Sequence, residues 1–133
     1  MQNIVVGYIP TPQGVAALEA AVNLARLTGG RVTVVNTGHN GNYADPAFAT
    51  AQDMDTIDLQ LANAEIPHEV RQPTEGRSAA DEILVVAGEV GADLIVIGVR
   101  RRSPVGKLVT GSTAQQILLD AECAVLAVKA SDA

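Results

Sequence analysis

At 133 residues the chain is about one domain's worth, long enough to withdraw roughly two-thirds of its unfolded surface from water. With 47% hydrophobic and 18% charged residues, its composition is that of a globular protein and excludes a disordered one. No Trp, two Tyr, one Phe and a net charge of −6 require an aliphatic core and argue against nucleic-acid partners, which want stacking rings and basic surfaces.

The elements follow in chain order. Ile4-Val5-Val6-Gly7-Tyr8-Ile9 reads as a buried strand. In Pro10-Thr11-Pro12, Thr11 suits the N-cap of a helix and Pro12 its first turn. Leu18, Ala21, Val22 and Ala25 mark one face of that helix, and Gly29-Gly30 stops it. Arg31 to Asn36 is a second strand, and Gly38 to Phe48 a polar loop. A helix is predicted over 49–64, with Met54, Ile57 and Leu61 inward and Asp53, Asp55 and Asp58 available for the other side. His68 to Gln72 is a third strand whose charges suggest a sheet edge. Ser78 and Asp81 resemble a capping pair for a helix that buries Ile83, Val86, Ala87 and Val90 and ends at Gly91.

Leu94-Ile95-Val96-Ile97 is apolar on both faces, as a central parallel strand is. A basic loop runs from Gly98 to Gly111. Ser112 to Gln115 has capping-box form, with Ser112 as N-cap of a helix burying Ala114, Ile117, Leu118 and Ala121. Ala124 to Lys129 closes the series as a fifth strand.

Strands alternating with helices predict one α/β domain over 1–133, a five-stranded parallel sheet with helices on both faces. Ligands of such sheets bind beyond the carboxyl ends of strands where the order reverses. Periodicity does not fix that order, but 3-2-1-4-5 brings together the loops after strands one and four, where the chemistry-bearing residues lie.

The loop after strand four is the informative stretch. Arg100, Arg101, Arg102 and Lys107 are four of the nine basic residues of an acidic chain. Gly111-Ser112 stands at a helix N-terminus, where free N–H groups and the helix dipole favour an anion such as phosphate. A solvated basic loop beside an ordinary N-cap accounts for the same residues about equally well.

From Gly98 the pattern is Gly98-Val99-Arg100-Arg101, nine residues from Arg102 to Thr110, then Gly111-Ser112. It resembles the nucleotide motif G-x2-G-x9-G-[ST] of the universal stress protein family, with Arg101 in place of the second Gly. The Ser-Thr-Ala-Gln helix start, the apolar last strand and the order of elements resemble that family along the whole chain. The resemblance implies an adenine nucleotide alpha hydrolase-like fold and a cytoplasmic stress-response regulator that binds ATP or AMP between the loops after strands one and four. Mg²⁺ would accompany only ATP. By position, Gly98, Gly111, Ser112 and Thr113 form the phosphate site, with Arg100 and Arg101 adding charge. Tyr8, Ile9, Pro10 and Thr37, beside Asn36, line the base. Where ATP-binding members carry an Asp just after strand one, this chain has Ile9. The resemblance also implies a homodimer through the last strand, whose Val125-Leu126-Ala127-Val128 carries no charge.

Other motifs fall away. Gly106-Lys107 is followed by Leu108 and lacks the P-loop glycine five residues earlier. His39 and His68 read as surface residues, the three aspartates as a solvated helix face, and Cys123 as a small buried residue that has no partner for an internal disulfide. No segment has the length of a membrane span, and no acid–base pair marks a catalyst. Three readings stay open: a nucleotide-binding module, a nucleotide-free dimeric interaction protein, and a slow ATPase.

Overall fold

The computed structural model describes residues 2–36, 51–73, 77–99 and 112–130, and among these strands and helices alternate. They are β1 (Asn3–Tyr8), α1 (Pro12–Thr28), β2 (Arg31–Asn36), α2 (Ala51–Asn63), β3 (His68–Arg71), α3 (Ala79–Val90), β4 (Leu94–Val99), α4 (Ser112–Asp120) and β5 (Ala124–Lys129). All four strand pairs are parallel and the order is β3-β2-β1-β4-β5, the order that brings the first and fourth loops together.

Local chemistry sets the boundaries. Thr11 is extended, and its hydroxyl accepts the Gly14 N–H at 3.1 Å, with Pro12 opening α1 behind it. Ser78 caps α3 by accepting the Asp81 N–H at 3.2 Å. Both helices end on a left-handed glycine, Gly29 at φ 68° and Gly91 at φ 65°, each N–H closing on a carbonyl four residues back.

The sheet separates two apolar layers. On one face Ile4, Val6, Val32, Val34 and Val96 meet Leu18, Ala21 and Val22 of α1 and Ile57 and Leu61 of α2. On the other, Val5, Val35, Ile95 and Ile97 meet Ile83 and Val86 of α3 and Ala114 and Ile117 of α4. Each fully buried aliphatic side chain contributes about 1.5–3 kcal/mol, and with so few aromatic rings these chains hold the fold.

Three expectations need correction. Gly98 and Val99, assigned to the basic loop, continue β4, because β5 supplies pairing partners in Val128 and Lys129. Ser112 is the first residue of α4 instead of its cap. Leu118, expected to be buried, is 49% exposed: α4 covers the sheet with the narrower stripe of Ala114 and Ile117. The loop 38–48 lies outside the described residues.

Candidate functional site

After β1 the chain passes to α1 on one face of the sheet, and after β4 to α4 on the other. β1 and β4 are neighbours, so their carboxyl ends mark the switch point at which ligands of such sheets bind.

Tyr8, Ile9 and Pro10 form the β1 side. Tyr8 ends the strand with its ring buried in the α1–α2 layer. Burial pushes its phenol above the ordinary tyrosine range, and the Asp53 carboxylate on α2 adds to the shift. The half-buried Ile9 turns the chain, its carbonyl accepting the Thr11 N–H at 2.8 Å, and Pro10 is exposed.

The first turn of α1 lies directly on this backbone and on β4. A Cβ at Gly14 would stand 1.9 Å from the Ile9 carbonyl oxygen, and one at Gly98 would stand 2.2 Å from that of Gln13. Both clashes are with backbone, so neither position accepts a side chain without parting the helix from the sheet. Gly98, placed at the phosphates by its motif, therefore has a packing duty of its own.

Ser112 and Thr113 open α4, and Thr113 is exposed. The first N–H groups of a helix lack intrahelical partners, and the first turn of α4 carries no acidic residue to compete for them. Thr37, Arg100, Arg101 and Gly111 lie outside the described residues, as do Arg102 and Lys107.

One polar feature here was not foreseen as a unit. Asn36, fully buried at the end of β2, donates from Nδ2 to the Tyr8 carbonyl at 2.9 Å, and its Oδ1 accepts from Gln72 Nε2 at 2.7 Å. Asn36 was assigned to the neighbourhood of the base, whereas nothing in local sequence links it to Gln72. That link exists only through the register of β1, β2 and β3.

The remaining candidates resolve as structure. His68 is not a surface residue: its side chain is only 14% exposed, with its ring nitrogens 2.7 Å from the Ile66 carbonyl and 2.7 Å from Asp58. The half-buried Cys123 has its thiol pushed up, first by burial and then by Asp93, the reverse of an activated nucleophile. Among the described residues no three His, Cys, Asp or Glu side chains converge as a metal site would require, and no helix is long and apolar enough to cross a membrane.

Known proteins match this architecture end to end. A model of the Universal stress protein family matches residues 1–129. A Universal stress protein of Mycolicibacterium smegmatis is 40% identical over 126 residues, covering 95% of this chain and 96% of its own. Among solved structures, a universal stress protein from Archaeoglobus fulgidus superposes with a TM-score of 0.80 at 30% identity, covering 97% of this chain and 99% of that one. A structure of the universal stress protein from Archaeoglobus fulgidus in complex with dAMP superposes with a TM-score of 0.74 at 26% identity, over 97% and 98%. The sheet is of the adenine nucleotide alpha hydrolase-like kind, and the chain belongs to the universal stress protein family.

Proposed function

We propose that the protein is a stress-response regulator that binds an adenine nucleotide, AMP or ATP, in the crevice between the loops after β1 and β4. The observation that carries this reading is the switch point between β1 and β4, which lies at the start of the segment running from Gly98 to Ser112. The fold likeness to the dAMP complex of the Archaeoglobus fulgidus protein supports it. Backbone of Tyr8, Ile9 and Pro10, with Thr37, faces the base. Gly98, Gly111, Ser112 and Thr113 take the phosphates, and Arg100 and Arg101 supply charge. Mg²⁺ enters only with a triphosphate. Ile9, where ATP-binding members have Asp, leaves the nucleoside to backbone groups and weakens the hold on it.

Two copies pair through β5, whose Val125 to Val128 lies on an outer edge of the sheet. The chain acts as one domain. The rival reading is a nucleotide-free dimer, favoured by Ile9 and by Arg101 at the second motif glycine.

Titration calorimetry decides between them. The wild type is expected to bind dAMP and ATP, and Gly111→Val, which puts a branched side chain at the phosphates, to lose about tenfold or more in affinity while remaining folded. A wild type that binds neither nucleotide, or a folded variant that binds as well as the wild type, overturns the phosphate assignment.

A further inference from the structure

We propose that Asn36 is a positioning residue that sets base selectivity in this crevice, an inference that rests on the nucleotide reading above and names what controls it. Backbone pairing between β1 and β2 ends at Tyr8 and Asn36, and that between β2 and β3 at Val35 and Arg71. At the end of these ladders the Asn36 side chain bonds to the chain on either side. Its amide nitrogen holds the Tyr8 carbonyl and its oxygen takes the Gln72 amide.

The location makes the bonds informative. Asn36 is completely buried at the end of a strand whose Val32, Val34 and Val35 are equally buried. An aliphatic residue would be the ordinary occupant, because a buried amide is costly wherever its bonds are incomplete. Here the amide is held between two partners in a low-dielectric setting, where such networks stiffen what they join.

What it joins is the chain segment entering the crevice. The Tyr8 carbonyl is fixed by Asn36, and the next carbonyl, that of Ile9, is fixed by the Thr11 N–H and seated against Gly14. Two successive peptide groups thus have assigned partners, and the run into Pro10 has one orientation before any ligand arrives. A base edge read by backbone groups is discriminated only as sharply as those groups are held. With Ile9 unable to hydrogen-bond a nucleoside through its side chain, this backbone carries more of the selection.

The test is a titration of wild type, Asn36→Ala and Gln72→Met with dAMP and dGMP, with thermal melts alongside. The wild type is expected to favour dAMP by about tenfold or more, and Asn36→Ala to narrow that preference to within about threefold. Gln72→Met keeps the bond to Tyr8 and is at a half-buried position just past the edge strand, so it serves if Asn36→Ala fails to fold. It is expected to reduce the preference about twofold. A wild type that binds both nucleotides equally overturns the inference, as do folded variants that melt lower yet keep the full preference, since a merely structural clip lowers stability without touching base choice. A wild type that binds neither nucleotide overturns the nucleotide reading itself and this inference with it. Wild-type binding and selectivity with unaltered variants overturn this inference alone.

Discussion

The two edge strands of the sheet differ sharply in charge. On β3, His68 is bonded to Asp58, Arg71 pairs with both Glu69 and Glu89, and Arg31 of β2 approaches Glu69 at 4.0 Å. The hydrogen bond that Arg71 donates to the Glu69 carboxylate is the main influence raising its guanidinium above an already high range, so Arg71 keeps its charge at every working pH. On β5, Ala124 to Val128 carries no charge, Ala127 is exposed and Leu126 is 38% exposed. Exposed ion pairs contribute about 0–1 kcal/mol each, so stability alone does not explain why one edge has a row of them. Protection against strand pairing accounts for it, and the bare edge is the one proposed above to take a second copy.

The largest effect should come from breaking the bare edge. Leu126→Pro, with Leu126→Lys as the milder variant should proline disturb the rungs to β4, is expected to weaken the proposed dimer about a hundredfold or more. Light scattering across micromolar concentrations reads the mass, and circular dichroism confirms the fold. A wild type that is already monomeric there, or a folded Leu126→Lys that remains dimeric, removes the pairing role from β5.

That contrast was legible in the sequence, because charge and its absence along a strand are local properties. So were the caps at Thr11, Ser78, Gly29 and Gly91, where one side chain or one left-handed residue acts on its own turn. Features that depend on a distant partner were not. Nothing near Gly98 announces that its neighbour is the Gln13 carbonyl, or that β5 draws Gly98 and Val99 into the ladder. Leu118 fell on the expected apolar arc of its helix, and only the placement of α4 on the sheet decides that the arc is covered in part. On the candidate site, residue identities came from a spacing pattern, whereas the Asn36–Gln72 clip required three strands in register.

A middle-sized effect belongs to the guarded edge. His68→Ala removes a covered ring with two partners, the Ile66 carbonyl and the Asp58 carboxylate that ties β3 to α2. It is expected to lower unfolding free energy by about 1–3 kcal/mol, read by chemical denaturation. Asp58→Asn retains an acceptor and is expected to cost about 0.5–1 kcal/mol. Equal losses in both variants would locate the stabilisation in the contact with the Asp58 carboxylate instead of in the covered ring.

The smallest effect on stability carries the sharpest test of the comparison. Glu69→Val with Arg71→Val gives β3 the composition of β5: a short strand with apolar side chains and an open edge. Glu69 and Arg71 have side chains 40% and 31% exposed, and the strand keeps its rungs to β2 at Val32, Thr33, Val34 and Val35. Their joint replacement is therefore expected to change stability by less than about 1 kcal/mol. Association should respond far more, because edge charges oppose a second strand wherever it docks, and valines favour the extended pairing that follows. Sedimentation velocity is expected to show species heavier than the wild type, growing with concentration, and a further Leu126→Lys change should not abolish them, since they form through the other edge. If the double variant keeps the wild-type mass but loses several kcal/mol of stability, the ion pairs of β3 hold the fold together and do not guard it.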